Sequence, residues 1–297
     1  MKIGYPCINI TVGCTSGHTF RLKSYSEDRL KETVKTNLQC LSRTLKYNKE
    51  HNLLFFRVCS GLVPFASHPI NTFNWQQHFK DEFEALGEYI KQNNFRISTH
   101  PDQFTLINSI DKEIFERSKK ELQYHAQIFD LMRLDESAKI QIHVGGAYGN
   151  KPHSIRTFIE RYKLLDSQVK RRLVIENDDR LFDVDDCLEI SAQTAIPVLF
   201  DEFHHKTNHR AGKENIDFEL ISKTWKTKDG LPMVDYSSQQ PQAKTGQHTQ
   251  SIDVADFEVF LKRTLPFDFD IMLEIKDKEA SANKALQIAL NDPRIKR

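Results

Sequence analysis

Arg172-Leu-Val-Ile-Glu-Asn-Asp-Asp179 is the stretch of the sequence from which the fold can be predicted. It joins a short apolar run, residues 173–175, directly to Glu176. Such a run is typical of a strand buried on both faces in a parallel sheet. A carboxylate at the end of that strand is costly to bury unless a cation neutralises it. On its own, Glu176 is more readily explained as the cap of a following helix. Whether Glu176 is a helix cap or a cation ligand therefore depends on whether the same pattern recurs along the chain.

The alternation of a strand with a helix does recur along the chain. Predicted strands cover residues 3–8, 53–58, 95–99, 139–144, 173–176, 196–200, 231–235 and 269–273. Predicted helices cover 26–47, 75–92, 111–132, 152–170, 184–195, 216–225, 254–264 and 280–290. This order predicts an α/β fold, a single (β/α)8 TIM barrel spanning residues 1–297 as one domain. An open doubly wound sheet is the alternative, but no Gly-x-Gly-x-x-Gly follows the first strand.

Composition narrows the class of protein. Lys+Arg number 42 against Asp+Glu 41, so no global basic field indicates nucleic acid, although a local basic face is compatible with this balance. The amino terminus lacks a signal pattern, and no apolar run approaches the ~20 residues of a membrane span. Five cysteines without a Cys-x-x-Cys predict free thiols in a reducing cytosol, and hence a cytoplasmic protein. They are Cys7, Cys14, Cys40, Cys59 and Cys187.

Acidic and imidazole side chains recur at the ends of the predicted strands. They are His100, His143, Glu176, Asp201, His204, Asp235 and Glu274. In a barrel these ends converge on the face where active sites are found. Each residue alone is commonly structural, but together they would repel one another or stay unpaired without cations. Imidazole and carboxylate ligands suit zinc, manganese or iron, and Glu176 can bridge two ions. The pattern therefore predicts a metal cluster.

Other residues near the strand ends have less specific signals. His68 and His248 lie on loops and are candidate ligands or phosphate contacts. In the histidine-dense loop 204–209, His204 is the predicted ligand, and His205 and His209 are predicted to face solvent. Lys151 follows a glycine-rich loop that either approaches a phosphate or is a plain turn. Arg57 is predicted to pair with a neighbouring acid.

A multi-metal barrel mouth supports two chemistries. One is attack of metal-activated water on a phosphodiester, and the other is isomerisation of a chelated sugar. Gln103 and Phe104 form a polar–aromatic pair that favours the first chemistry if it levers into a base stack; the alternative is that Phe104 packs the core of its loop. Tyr5 and Asn9, at the end of the first strand, suit stacking and hydrogen bonding with an extruded base.

Motifs along nearly the whole chain resemble the UV damage endonuclease family, within the endonuclease IV and xylose-isomerase-like barrels. They are Gly4-Tyr5 with Asn9, Pro64-Phe-Ala-Ser-His-Pro69, His100-Pro-Asp-Gln103-Phe104, Ile142-His143-Val-Gly-Gly146, Ile175-Glu-Asn-Asp-Asp179, Asp201-Glu-Phe-His204, Asp235-Tyr-Ser-Ser-Gln239 with His248, and Glu274-Ile-Lys276. The resemblance implies a barrel with up to three divalent ions, usually Mn²⁺. Such an enzyme nicks double-stranded DNA immediately 5′ to a UV photoproduct and leaves a 3′-hydroxyl and a 5′-phosphate.

The resemblance also implies roles for single residues. Metal-site positions are His100, His143, Glu176, Asp201, His204, His248 and Glu274, with His68 similar to another; Glu176, Asp201, His204 and Glu274 form the catalytic core. Gln103 and Phe104 resemble the pair that wedges into the duplex, and Tyr5 and Asn9 resemble residues near the flipped lesion. Independently of the resemblance, the position of Lys151 after the glycine-rich loop makes it a predicted DNA contact. Two positions depart from the pattern. Met233-Val-Asp235 stands where some members carry Lys-x-His, which leaves Asp235 as a candidate ligand, and Phe104 stands where a tyrosine is common.

Three other functions fit parts of this pattern. They are an abasic-site endonuclease of the endonuclease IV kind, a sugar isomerase or epimerase of the same fold, and a barrel that binds DNA without cutting it. A sugar enzyme should have no affinity for DNA, and the paired Gln103 and Phe104 favour the DNA reading. We expect double-stranded DNA with UV lesions as the partner, no membrane contact, and no obligate protein partner.

Overall fold

The computed structural model describes residues 1–295, and its centre is a closed barrel of eight parallel strands. Each strand is hydrogen-bonded to the strands before and after it in the chain, and the last pairs with the first. The strands are β1 (Ile3–Pro6), β2 (Phe55–Val58), β3 (Arg96–Thr99), β4 (Lys139–His143), β5 (Leu173–Glu176), β6 (Val198–Asp201), β7 (Met233–Tyr236) and β8 (Asp270–Leu273). The predicted (β/α)8 barrel is confirmed, and the doubly wound alternative is wrong.

Helices surround the barrel in the part of the chain that the structure describes. They are α1 (Glu27–Glu50), α2 (Trp75–His78), α3 (Lys80–Gln92), α4 (Lys112–Leu131), α5 (Lys151–Lys163), α6 (Ser167–Lys170), α7 (Val184–Thr194), α8 (Glu202–Thr207), α9 (Phe218–Thr224), α10 (Val254–Arg263) and α11 (Glu279–Ala289). The prediction of single helices over 75–92 and 152–170 was wrong. The chain bends at Phe79 and again at residues 164–166, and buries Phe79 and Leu165 at these bends.

The barrel interior is built in layers. Near its amino-terminal end lies an apolar layer from five strands, closed by Trp225; its strand residues are Phe55, Val174, Leu199, Met233 and Met272. Alternate residues of a strand share a face, so the residues two positions further on also point inward. Those residues are Arg57, Glu176, Asp201, Asp235 and Glu274. The pleat of the strands therefore places one charged layer directly above an apolar layer, at the carboxyl ends where barrel sites form.

The chain after β1 differs from the prediction. The predicted first strand, residues 3–8, ends at Pro6, and residues 8–9 instead pair with residues 14–15 in a small antiparallel hairpin. The hairpin lies against α1, and a disulfide joins Cys14 to Cys40 with their Cα atoms 6.0 Å apart. The prediction of five free thiols was wrong for these two, because sequence spacing does not reveal which loop contacts which helix. The expected cytoplasmic location loses that support and stays a prediction. Across residues 1–295, the structure contains no helix of the length and apolarity that crossing a bilayer requires.

Candidate metal centre

Three overlapping groups of side chains suited to metal binding lie at the carboxyl ends of the strands. The groups are His100–His143–Glu176, Glu176–Asp201–His204 and Asp201–Asp235–Glu274, and within each the donor atoms lie within 4.8 Å of one another. We call them the first, second and third groups. Glu176 belongs to the first two groups, and Asp201 to the last two. The structure thus brings together all seven predicted strand-end residues in one continuous cluster.

Glu176 faces different imidazoles with its two oxygens. Oε2 lies 3.5 Å from His100 Nε2 and 3.9 Å from His143 Nε2, and Oε1 lies 3.1 Å from His204 Nδ1. The carboxylate is 1 % exposed. A buried carboxylate with one oxygen turned toward each of two ligand groups has the geometry of a bridge between two ions.

Several polar atoms of the cluster have no hydrogen-bond partner. They are Oδ2 of Asp201 and the Nδ1 atoms of His100 and His143. The other Asp201 oxygen accepts a hydrogen bond from the His204 backbone N–H at 2.6 Å, so only Oδ2 remains open. A buried carboxylate oxygen without a partner is costly, and a bound cation removes that cost. The second group, which contains this open oxygen, therefore fits a divalent metal ion, and the first group offers two imidazoles and a carboxylate within ligand distance of one another.

The electrostatics of the cluster also call for a cation. Burial would raise the pKa of Glu176, but the imidazoles around it hold that pKa well below its usual value. Burial, joined by the neighbouring carboxylates, raises the pKa of Asp201 well above its usual value. Burial would lower the pKa of His204, but Asp201 and Glu176 outweigh it and raise the pKa to about 11. The pKa shifts of Asp201 and His204 both reflect negative charge crowded into a buried site, which favours a positive charge there.

Helix α8 and Asn177 orient His204. The Asn177 side chain donates to the Asp201 backbone oxygen at 3.0 Å and accepts from the Asp201 N–H at 2.9 Å. The Asn177 backbone oxygen lies 3.0 Å from His204 Nδ1. Contacts of this kind fix the direction of a ligating imidazole. Asn177, which directly follows Glu176 in the sequence, therefore supports two of the three groups.

The predicted solvent exposure of His205 and His209 was wrong. Residues 202–207 form a helix instead of a loop, and this turns His205 inward against Phe200. His205 is buried, and His209 is half-buried with its Nδ1 2.8 Å from the His205 backbone oxygen. Neither residue belongs to the three groups.

His248 and His68 occupy different positions relative to the cluster. The Nδ1 of His248 lies 2.8 Å from the Glu274 backbone oxygen, which leaves Nε2 3.9 Å from Glu274 Oε2. His248 is thus adjacent to the cluster, outside the three groups. His68 is exposed, and its Nδ1 accepts from the Ile70 N–H at 3.1 Å. His68 lies outside the three groups, and its role as a ligand stays a prediction.

Arg57 and Gln141 form the floor of the site. The Arg57 guanidinium donates to both oxygens of Asp235, at 2.8 and 2.7 Å, and also to Glu274. Gln141 accepts from Arg57 at 2.6 Å and donates to Glu176 at 2.5 Å and to Asp235 at 2.7 Å. Gln141 was missed by sequence analysis; its signal was a polar residue two positions before His143, and therefore on the same face of β4.

The loop of residues 100–111, which we call the wedge loop after its predicted role, begins at the cluster residue His100 and carries Gln103 and Phe104. Both are exposed, and Phe104 is 72 % exposed, unusual for a phenylalanine that only packs its own loop. Asn108 ties this loop to the glycine loop, residues 144–150. Its amide nitrogen donates to the Gly146 oxygen at 2.8 Å, and its amide oxygen accepts from the Gly146 N–H at 3.2 Å. The exposed pair is therefore carried by a loop that is hydrogen-bonded to a second loop.

Tyr5 and Asn9 do not lie where a base could stack. Tyr5 is on the outer face of β1, where its hydroxyl donates to Asn48 of α1 at 2.5 Å and accepts from Asn9 at 2.6 Å. Both side chains are buried, so neither offers a face to an extruded base, and this predicted contact is corrected. Lys151 is paired with Asp186 at 2.8 Å. To contact a phosphate, the Lys151 ammonium would have to break this ion pair or bind the phosphate and Asp186 at the same time.

The family model described as UV-endonuclease UvdE matches residues 1–292. A UV DNA damage endonuclease of Clostridium perfringens (strain 13 / Type A) is 40 % identical over 290 residues, which cover 96 % of this chain and 70 % of that protein. The crystal structure of SacUVDE aligns with a TM-score of 0.94 and 41 % identity, and covers 99 % of this chain and 100 % of that one.

A more distant match concerns the fold alone. D-psicose 3-epimerase from Clostridium cellulolyticum H10 aligns with a TM-score of 0.53 at 10 % identity, over 84 % of this chain and 92 % of that one. The two proteins share the barrel. At that identity the likeness carries no argument about substrate.

Proposed function

Since this chain belongs to the UV-endonuclease UvdE family, we propose that it nicks double-stranded DNA immediately 5′ to a UV photoproduct. Cyclobutane pyrimidine dimers and 6-4 photoproducts are the proposed lesions, and the ends left are a 3′-hydroxyl and a 5′-phosphate. The observation that carries the proposal is a cluster of open ligand atoms next to an exposed polar–aromatic pair on a braced loop. We propose a cytoplasmic location, where the enzyme meets chromosomal DNA.

The cluster is proposed to act with bound Mn²⁺. When bound, divalent ions supply an activated water and stabilise the departing 3′-oxygen. Glu176 spans the first and second groups, and Asp201 and His204 complete the second. Glu274 holds its carboxylate beside them, fixed by Arg57. Manganese suits a set that mixes carboxylate oxygens with imidazoles. In this mechanism the side chains bind and orient, and none of them acts as a nucleophile.

Lesion recognition is assigned to Gln103 and Phe104. Unstacking a base pair costs least where the duplex is already distorted, so an inserted wedge selects damaged DNA. The Phe104 ring has no stacking partner within the protein among the described residues, which leaves it available to a base. The two hydrogen bonds between Asn108 and Gly146 tie the loop that carries the pair to the glycine loop.

The double substitution Gln103→Ala with Phe104→Ala is expected to weaken binding to lesion-containing DNA roughly 5- to 150-fold, since one base–aromatic stack is worth about 1–3 kcal/mol. Fluorescence anisotropy with a dimer-containing duplex measures the loss, and Mn²⁺ content should stay at the wild-type value. The control is Leu164→Ala. Leu164 is 62 % exposed at the far end of α5, away from the strand ends. Equal loss in both variants, or loss of metal in the double variant, would contradict the assignment.

A nicking assay with Mn²⁺ on matched duplexes tests the proposed reaction. One duplex carries a single cyclobutane pyrimidine dimer, one carries an abasic site and one is undamaged. We expect cleavage directly 5′ of the dimer. Cleavage confined to the abasic duplex would instead assign the endonuclease IV type of reaction. A protein that holds metal and cuts none of the three would leave a sugar isomerase or epimerase, or a DNA-binding barrel, as the function to test.

A further inference from the structure

We infer that the third group, Asp201–Asp235–Glu274, takes no metal ion because the guanidinium of Arg57 already serves as its cation, so that the chain binds two divalent ions instead of three. The inference rests on the proposed metal-dependent function and concerns how the cluster is filled. It makes Arg57 a positioning residue that holds two carboxylates in place, and it removes Asp235 from the predicted ligands.

The contacts of Arg57 carry the first part of the argument. Arg57 is 2 % exposed, and its Nη2 lies 2.8 and 2.7 Å from the two oxygens of Asp235. Its Nη1 donates to Glu274 Oε1. The two members of the third group that lie outside the second group therefore face the same guanidinium. Arginine remains charged throughout the accessible pH range, so this cation is permanent.

Gln141 completes the coordination of Asp235. Its amide nitrogen donates to Asp235 Oδ2 at 2.7 Å, and its amide oxygen accepts from Arg57 at 2.6 Å. Both oxygens of the buried Asp235 are thus occupied by donors. Asp201 Oδ2, in contrast, has no hydrogen-bond partner. The unpartnered atoms are the Nδ1 atoms of His100 and His143, in the first group, and Oδ2 of Asp201, which the second group shares with the third. The two carboxylates that belong to the third group alone, Asp235 and Glu274, are both bonded to Arg57.

The positive charge of Arg57 also disfavours a metal ion in the third group. An ion bound by Asp235 and Glu274 would have to lie beside the buried guanidinium, and like charges in a buried site repel strongly. Met233, two positions before Asp235 on the same face of β7, lies in the apolar layer and offers no oxygen to compensate. The Nη2 of Arg57 contacts both oxygens of Asp235 and its Nη1 contacts Glu274, so one guanidinium neutralises both carboxylates.

The number of ions per chain tests the inference. The full chain is stripped with a chelator, reloaded with Mn²⁺ alone, desalted and analysed for metal, and the ions are located by anomalous diffraction at the manganese edge. We expect two ions per chain, one in each of the first two groups, in both the wild type and Asp235→Asn. Three ions in the wild type, or one ion fewer in Asp235→Asn, would overturn the inference.

Removing the guanidinium gives the converse test. In Arg57→Met the third group loses its cation, and we expect a third ion to enter it. In Arg57→Met combined with Asp235→Asn the count should return to two. A folded Arg57→Met protein that still holds two ions would also overturn the inference. If Arg57→Met does not fold, the Asp235→Asn comparison decides alone. All counts are made without DNA, so a failure to nick would count against the proposed function without changing this result.

Discussion

The substitution Glu176→Gln is expected to lower the rate of nicking by at least about 10³-fold, the equivalent of about 4 kcal/mol of lost charge stabilisation. Glu176 turns one oxygen toward His204 and the other toward His100 and His143. Glutamine keeps the shape but loses the charge and replaces one of these oxygens with an amide nitrogen that cannot ligate. Both ions would lose a shared ligand, so Mn²⁺ content should fall together with the rate.

Glu202→Gln is the matched control for this prediction. Glu202 directly follows Asp201 and is also buried, but its carboxylate pairs with Arg263 at 2.6 Å and Lys206 at 3.3 Å, outside the three groups. The same change of charge at this position should leave the nicking rate within about tenfold of wild type. A thermal melt of both variants separates lost catalysis from lost folding. If Glu176→Gln nicked at the wild-type rate with full metal content, the bridging role would be wrong.

Removal of the metal is expected to lower the Tm by about 10 °C and to stop nicking. An ion that binds only the folded chain, present at about 1,000 times its Kd, adds roughly 4 kcal/mol to the free energy of unfolding. For a domain of this size each kcal/mol shifts the Tm by about 2–4 °C. Calorimetry in the presence of excess EDTA, then of excess Mn²⁺, measures the difference.

Two further samples give the melting experiment its control. Glu176→Gln should show a much smaller Mn²⁺-dependent shift, because its ligand groups are incomplete. The Gln103→Ala and Phe104→Ala double variant should show the full shift, because the wedge loop contributes no ligand. A wild-type Tm that is the same with EDTA and with Mn²⁺ would count against metal binding by the cluster.

Much of the fold and the cluster could be predicted because their signals are local. A buried parallel strand is a short apolar run, and its carboxyl end is visible as the next polar residue, as at Ile175–Glu176. The closure of the barrel then brings distant strand ends together without any further information from the sequence. That is why His100 and Glu274, far apart in the chain, were correctly expected at one face.

The features that the sequence did not predict depend on tertiary contacts, which the spacing of residues along the chain does not reveal. Whether Tyr5 points into the mouth or outward depends on the register of β1, and a shift of one residue exchanges the two faces. The Arg57–Asp235–Gln141 network joins three strands through side-chain length and direction, which become definite only with the barrel closed. The Cys14–Cys40 bond likewise follows from how a hairpin docks on a helix.

The brace at Asn108 has a consequence for engineering. Besides its two bonds to Gly146, the Asn108 amide fills the space that a side chain at Gly145 would need, since a Cβ there would lie 2.2 Å from Asn108 Oδ1. The wedge loop and the glycine loop are therefore one structural unit made of two separate stretches of sequence. A chimera that takes only residues 100–111 from a homologue would lack the glycine loop against which those residues normally pack. We expect lesion preference to be transferred from a homologue only when residues 144–150 are exchanged together with residues 100–111.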